Sequence, residues 1–341
     1  MKVEAGAKVV IKKVLVNCGA LPLAVHLAPS AAVILMYHSV QDQPGEFANS
    51  IGTGIIHATS VFERQMELIS RRFHPVTLEE ILSFLNGETK LPERAVAVTF
   101  DDGFADNAEI AAPILAHYGI RAVFYVTASL IGTKDPPWYS RLRFAFATTR
   151  RSEWLDPGTG RTHLFGAPDE RENALLAAFD SCASLAGNEQ EETIGRIEAY
   201  LESDLRANSD GLRFMMDWDQ VKRLSREGHI IGSHTLTHPN LAHVESKEIL
   251  RTELSESKRK IEEAIGSTVE HFSYPHPALS PQWNEETVAM TRRVGYCSAV
   301  TTTPGPVRAS ADPLRLKRIG ARRPEHQFLW NLEWTFLGRR V

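Results

Sequence analysis

Apolar runs of strand length alternate with helical segments along most of this chain, and several of the helices end at a glycine. Clear strand runs are VILMY (33–37), AVAVTF (95–100) and RAVFYVTA (121–128). The glycines that follow predicted helices are Gly87, Gly119, Gly228 and Gly266. Such alternation predicts a parallel sheet, and strands that are apolar on both faces predict helices on both sides of it. The fold class is therefore α/β, either an open doubly wound sheet or a closed barrel, and about seven strand–helix units suit a barrel.

Local signals predict where individual elements begin. The stretches 60–63 (SVFE) and 77–80 (TLEE) both have the capping-box pattern that starts a helix. Asp217 is a candidate N-cap for a later helix. The stretch 314–320 (LRLKRIG) is predicted to be the last strand.

Residues 132–216 interrupt the alternation with two helical stretches, and we predict a helical insertion in the barrel rather than a separate domain. The predicted organisation is an N-terminal helical extension over residues 1–30, then a barrel over 31–330 that carries the insertion at about 132–216. The apolar stretch 14–28 is predicted to be an amphipathic helix that closes one end of the domain. A signal segment is the alternative for that stretch.

Composition excludes several classes of function. The formal net charge of −4 argues against nucleic acid as a partner. The three cysteines, Cys18, Cys182 and Cys297, are far apart, so neither a disulfide framework nor a cysteine-rich zinc site is expected. No apolar run reaches the ~18 residues of a membrane span, so no transmembrane segment is predicted. A cytoplasmic location is expected, with membrane association and oligomeric state left open.

Two short motifs at predicted strand ends carry the chemistry. Asp101 and Asp102 follow the strand 95–100, and His234 and His238 follow an apolar HIIGS strand. A spacing of four places two imidazoles on one side of a helical turn, where both can bind one metal ion. With Asp102 they form a two-histidine, one-carboxylate set that leaves a position open, as catalytic sites do. Asp101 then remains as a candidate general base. Either motif alone is common in turns or surfaces, but their occurrence together at strand ends indicates a site.

These motifs resemble those of the polysaccharide deacetylases, the NodB-like carbohydrate esterases. The resemblance rests on Thr99–Gly103 (TFDDG) and His234–His238 (HTLTH), and more weakly on Met36–Val40 (MYHSV), which is similar to the branch of poly-N-acetylglucosamine deacetylases. It implies a distorted (β/α) barrel of about seven strands and a divalent metal, most often Zn²⁺, with Co²⁺ as an alternative. It also implies that Asp102, His234 and His238 are metal ligands and that Asp101 is the general base.

Two later motifs depart from the family pattern. Where the family typically has Phe-Arg-Pro-Pro-Tyr-Gly, this chain has FSYPHP (272–277), so Ser273 stands in the place of an arginine and His276 would offer the backbone N–H to the oxyanion. The last motif lacks the histidine that protonates the leaving amine. His276 is the first candidate for that acid, with His38 or Asp101 itself as rivals. Arg318 is a candidate to orient Asp101.

The function expected from this resemblance is metal-dependent hydrolysis of the N-acetyl group of an amino sugar in a polysaccharide, oligosaccharide or lipid-linked glycan. Candidate substrate-binding residues are His38, Tyr274 and Arg318. The alternatives are an acetyl esterase or a deformylase with the same metal site, or a glycan-binding protein that has lost turnover.

Overall fold

The computed structural model describes residues 20–26, 28–42, 52, 54–203, 205 and 213–339. The predicted N-terminal extension over residues 1–30, with its candidate signal segment, therefore falls largely outside the described residues. Within it, helix α1 spans Ala20–His26. In the part of the chain that is described, no helix combines the length and apolar character needed to cross a membrane.

Strands and helices alternate along the described chain. The strands are β1 (Ala32–Tyr37), β2 (Ser39–Val40), β3 (Ile56–His57), β4 (His74–Pro75), β5 (Ala95–Phe100), β6 (Ala122–Val126), β7 (Glu153–Leu155), β8 (Thr162–Leu164), β9 (Ile230–Ser233), β10 (His271–Ser273), β11 (Ser298–Val300) and β12 (Ile319–Gly320). The helices after α1 are α2 (Thr59–Arg72), α3 (Leu78–Leu85), α4 (Ala112–His117), α5 (Trp138–Thr148), α6 (Pro168–Ala183), α7 (Gly187–Leu201), α8 (Trp218–Arg226), α9 (Lys247–Ile265), α10 (Glu285–Val294) and α11 (Glu325–Phe336).

Seven parallel strands form the central sheet in the order β11–β10–β9–β6–β5–β1–β12, and β4 pairs with the start of β5. The sheet curls until its two edges meet. Thr301 N donates to Leu316 O (2.8 Å) and Leu316 N donates to Ala299 O (2.9 Å), which joins β11 to the segment before β12. The fold is a distorted (β/α) barrel of seven strands, as predicted.

The strand β5 lies in the middle of the sheet and is buried over all six residues. The ring of Phe100 at its end lies 5.0 Å from that of Phe124 on β6 and 5.6 Å from that of Phe62 on α2. Complete burial of one such side chain contributes roughly 1.5–3 kcal/mol. The two aspartates that follow Phe100 are therefore held on a rigid element.

Two of the three predicted helix starts are confirmed. Thr77 accepts from Glu80 N in a capping box at α3, and Asp217 caps α8. The box at 60–63 is wrong, because α2 begins at Thr59, two residues before the first helical residue that the box predicts, and Ala58 precedes it without a side-chain cap. The chain leaves β3 at His57, so the turn into α2 is complete before Ser60.

The last predicted strand is only partly present. Pro313–Arg315 is a short 3₁₀ turn in which the Asp312 side chain accepts from Leu314 N, and only Ile319–Gly320 pairs with β1. The apolar residues of 314–320 are buried in both parts, so apolar character alone did not distinguish the turn from the strand.

Residues 132–216, where the sequence predicts a helical insertion, contain α5, the antiparallel hairpin β7–β8, α6 and α7. Their apolar side chains form a cluster separate from the main core, with Trp138, Phe146, Trp154 and Phe179 among its aromatic members. The segment follows β6, whose carboxyl end lies beside those of β5 and β9. It can therefore contribute side chains to that edge of the barrel.

Candidate active site

A cleft of about 410 Å³ lies at the carboxyl ends of the barrel strands. Residues that directly follow β5, β9 and β10 line it, namely Asp101, His234 and Tyr274. Parallel strands bring their carboxyl ends to one edge, and α/β barrels keep their active sites there. The candidate catalytic and metal-binding residues from both motifs are thus brought together.

Asp102, His234 and His238 converge in this cleft, with one ligand atom from each lying within 4.8 Å of the others. Asp102 Oδ1 lies 3.4 Å from His234 Nε2 and 3.3 Å from His238 Nε2. Two atoms bound to one zinc ion at about 2.0–2.1 Å and at the tetrahedral angle lie about 3.4 Å apart. The three residues therefore fit a divalent cation, with one coordination position left for substrate or water.

The pKa values of these three groups are shifted in different directions. His234 Nδ1 donates to Ser273 O (2.8 Å), which leaves Nε2 as the free ligand atom. Burial would raise the pKa of Asp102, but its hydrogen bonds with the two histidines hold that pKa well below its usual value. Burial lowers the pKa of His238. At His234 burial also opposes the charged form, but the charge of Asp101 and the hydrogen bond with Asp102 raise its pKa above the usual value. The set thus offers an ionised carboxylate, and metal binding would displace the proton from His234 Nε2.

The two histidines lie on a loop and not on a helical turn, so that part of the sequence interpretation is wrong. Residues 234–240 have no regular secondary structure. Thr235 and His238 have φ values of 69° and 65°, in the left-handed region that residues other than glycine rarely adopt. Asp102 has a φ of 74°. Backbone strain of this kind persists only where surrounding contacts impose it.

Glu253, which the sequence analysis did not identify, supplies such contacts. It is buried on α9, and one of its oxygens accepts from the backbone N–H groups of Leu236 and Thr237 at 2.9 Å each. Its other oxygen accepts from Thr237 Oγ1 (2.6 Å). Three hydrogen bonds donated to one carboxylate thus hold the loop between the two histidines. The charged pattern of α9 gave no signal that this glutamate is buried.

The helix α5 contributes two further contacts that were not predicted. The Tyr139 hydroxyl donates to Asp102 Oδ2 (2.7 Å), and Trp138 Nε1 donates to His238 O (3.1 Å). Burial and the Asp102 charge raise the pKa of Tyr139 well above its usual value, so its hydroxyl stays protonated. Asp102 Oδ1 therefore faces the two histidines, whereas Oδ2 accepts the hydrogen bond from Tyr139.

Asp101 forms a buried, bidentate ion pair with Arg318. Nη1 and Nη2 donate to the two carboxylate oxygens at 2.7 Å each, and Arg318 is completely buried. Burial would raise the pKa of Asp101, but the charge of Arg318 holds it below the usual value. Arg318 Nη2 also donates to Ser273 Oγ (2.9 Å). The resemblance would place an arginine at position 273. Because Ser273 is small, it leaves room there for the guanidinium of Arg318, which directly precedes β12.

The orienting contact expected of Arg318 is present, but the substrate contact is not. Its Nε donates to Thr301 O, and Nη1 donates to Thr99 Oγ1 as well as to Asp101. Arg318 does not line the cleft, within the residues that the structure describes. With its donors used inside the protein, it has none left for a glycan.

The other predicted site residues line the cleft. The exposed His276 ring contacts Leu279 O through Nε2 (3.0 Å) and Thr302 Oγ1 through Nδ1 (3.3 Å). His38 is half-buried, and Asn107 Nδ2 donates to its carbonyl oxygen (2.6 Å). Tyr274 is buried, and its hydroxyl donates to Leu314 O (3.2 Å), so that hydroxyl is already used inside the protein.

The chain matches one protein-family model and is similar in sequence to known proteins. The model of the polysaccharide deacetylase family matches residues 88–299, which is more than half of the chain. The Bacillus subtilis protein YxkH is 23% identical over 85% of this chain and 71% of its own length. A chitooligosaccharide deacetylase of Rhizobium leguminosarum bv. trifolii is 31% identical over 30% of this chain and 41% of its own length.

Solved structures have the same fold. The deacetylase PplD of Streptococcus pyogenes, solved with acetate, matches 90% of this chain and 99% of its own, with a TM-score of 0.59 and 19% identity. IcaB of Ammonifex degensii matches 90% of this chain and 98% of its own, with a TM-score of 0.57 and 16% identity. At these identities the match concerns the barrel alone.

Proposed function

Because the chain belongs to the polysaccharide deacetylase family, we propose that it is a metal-dependent hydrolase that removes the N-acetyl group of an amino sugar in a glycan. Membership supports deacetylase activity on glycans in general. The finer proposal concerns the metal, the residue roles and the N-acetyl linkage. The proposal covers polymeric, oligomeric and lipid-linked glycans.

The observation that carries the proposal is the pairing of two carboxylates with different environments in one cleft. Asp102 faces His234 Nε2 and His238 Nε2, whereas Asp101 is held by Arg318. Adjacent carboxylates with separate partners are suited to separate roles, one as a metal ligand and one as a base. The two adjacent aspartates of the TFDDG motif would thus have separate roles.

Asp102, His234 and His238 would hold the metal, with Zn²⁺ expected and Co²⁺ as a substitute. When bound, the cation supplies Lewis-acid polarisation of the acetamide carbonyl and makes water more acidic. Asp101, kept ionised by Arg318, accepts a proton from the attacking water. Tyr139 and Glu253 act indirectly, since they hold Asp102 and the histidine loop in place.

The remaining steps need an oxyanion donor and an acid. The backbone N–H of His276 is the proposed donor to the oxyanion, and the ring of the same residue is the proposed acid for the leaving amine. His276 lines the cleft and is exposed, and to act as the acid its ring would exchange the contact of Nδ1 with Thr302 Oγ1 for one with the substrate. His38 lines the same cleft and is the rival acid.

The test is acetate release from N-acetylchitooligosaccharides by the purified protein. A chelator should abolish release, and Zn²⁺ or Co²⁺ should restore it. His234→Ala should lose both bound metal and activity, whereas His117→Ala, which alters an exposed histidine on α4, should retain both. Full activity of His234→Ala without bound metal would refute the site assignment.

The alternatives give different outcomes in the same assay. An acetyl esterase would release acetate from O-acetyl sugars and not from N-acetyl sugars, and a deformylase would release formate from N-formyl substrates. A glycan-binding protein without turnover would bind the oligosaccharide and release no acid. Any one of these three results would replace the N-deacetylase proposal.

A further inference from the structure

Arg143 is a cation at the cleft whose one ionic partner among the described residues is weak. Arg143 on α5 lines the cleft near the metal-binding residues, and its side chain is 29% exposed. Among the described lining residues it is the only lysine or arginine. Both carboxylates in the lining have a charge partner, Asp101 in Arg318 and Asp102 in the cation that it would hold together with the two histidines. The charge of Arg143 therefore has no counterpart in the described wall of the cleft.

The contacts of Arg143 orient its guanidinium but do not satisfy it. Its Nε is buried and has no hydrogen-bond partner within the described residues. The nearest carboxylate oxygen, Glu172 Oε1, lies 4.0 Å from Nη1, and the Glu172 side chain is 56% exposed. Exposed pairs at that separation are weak. The guanidinium carbon lies 5.3 Å from the centre of the Phe179 ring, so an aromatic face supports it.

Another arginine on the same helix provides a contrast. Arg141, two residues earlier, donates twice to Glu198 and once to Glu191 and is buried. Its charge is thus used inside the protein. The helix α5 therefore pairs one of these arginines completely and presents the other to the cleft.

The position of Arg143 relates it to the reacting centre. Tyr139 and Arg143 are four residues apart on α5, so their Cβ atoms lie on one face at a separation of about 6 Å. The Tyr139 hydroxyl reaches Asp102. A ligand group at Arg143 would consequently lie in the same cleft as Asp102, and not at a remote surface.

We propose that Arg143 binds an anionic group, a carboxylate or a phosphate, carried by the glycan next to the N-acetylated sugar. This inference rests on the proposed deacetylase function and narrows its substrate class. A planar guanidinium can donate two parallel N–H groups to either anion. The Phe179 ring behind it restricts the orientation of those donors. The anion would also pair with a charge that the described residues compensate only weakly.

The experiment compares three oligosaccharides of equal length that contain N-acetylglucosamine. One is neutral, one carries a carboxylate on the neighbouring sugar, and one carries a phosphate there. The wild-type protein should have a higher kcat/KM for one anionic substrate than for the neutral one. That preference should fall roughly 10–100-fold in Arg143→Gln, the usual effect of losing a hydrogen bond to a charged group. Arg143→Lys should retain part of it.

The control is Arg150→Gln, which removes an exposed arginine of the same segment and should keep the wild-type preference. A second measurement needs no variant. The KM of the anionic substrate should rise with NaCl concentration, while that of the neutral substrate should not. The carboxylate and phosphate arms identify which anion is preferred.

Failure of this inference differs from failure of the proposed function. Turnover of the neutral sugar without any anionic preference, or an equal loss on all substrates in Arg143→Gln, would refute the anion site alone. Equal loss would mean that Arg143 supports the cleft wall through Phe179. No turnover of any of the three substrates by metal-loaded protein would refute the deacetylase proposal itself.

Discussion

The ion pair between Asp101 and Arg318 is expected to dominate the stability of the site. Arg318→Met removes two charge-assisted hydrogen bonds of 2.7 Å and leaves Asp101 as a buried, unpaired charge. Breaking a buried pair from one side costs about 3–5 kcal/mol. Asp101→Asn leaves the guanidinium buried without its counter-charge and should cost a similar amount.

The double variant should lose far less than the sum of these two effects. With Arg318→Met and Asp101→Asn combined, neither charge remains, so we expect a total loss close to that of one single variant. The resulting coupling energy is about 3 kcal/mol, well above the roughly 0.5 kcal/mol within which independent sites add.

The assay is urea unfolding of the four proteins, with chelator present throughout so that metal binding does not contribute to the free energy of unfolding. A matched control is the exposed pair Arg259 and Glu263 on α9, for which a cycle of Arg259→Met and Glu263→Gln should give about 0.3–0.5 kcal/mol. Additivity of the Asp101 and Arg318 variants would refute the argument that each charge compensates the other.

Three further predictions concern the support of the site and its acid. Glu253→Ala removes the acceptor of three loop hydrogen bonds, so the Kd for Zn²⁺ measured by calorimetry should rise about 10–100-fold. Glu253→Gln should give an intermediate Kd, and an unchanged Kd in Glu253→Ala would mean that the loop keeps its shape without these hydrogen bonds. Tyr139→Phe frees Asp102 Oδ2 to become a second ligand atom, so the visible spectrum of the Co²⁺-loaded protein should change, and an identical spectrum would contradict this. If His276 is the acid, His276→Ala should lose amide hydrolysis by roughly 10²–10⁴ and largely spare an activated acetyl ester, which needs no acid. If His38→Ala instead loses amide hydrolysis and retains ester hydrolysis, His38 is the acid. If neither variant does so, Asp101 also protonates the leaving amine.

The sequence predicted a helix-covered parallel sheet and the candidate metal-binding set because both depend on local patterns, and the family resemblance implied that the sheet is a barrel. Strands such as 95–100 are apolar on both faces, which only a helix-covered parallel sheet accommodates. The TFDDG and HTLTH motifs end their strands, and strand ends meet at one edge in any such sheet. Asp102, His234 and His238 could therefore be grouped without knowing the path of the chain between them.

Local patterns failed where conformation or pairing depends on distant contacts. A spacing of four in His234–His238 matched a helical turn, but Glu253 on α9 holds a loop there instead. The stretch 314–320 has strand composition, yet Asp312 caps a 3₁₀ turn within it. In both cases a hydrogen bond from another residue outweighed the local preference.

The sequence alone determined which residues are chemically able to bind a metal and accept a proton, and on which kind of scaffold they stand. Only the tertiary structure decided which partners they have. Arg318 reaches Asp101 across 217 residues, and Tyr139 and Arg143 reach the cleft from a segment that the barrel pattern does not include. The reason is physical, since periodicity records which face of an element is buried, whereas the pairing of buried charges depends on how the sheet curls and brings distant elements within hydrogen-bonding distance.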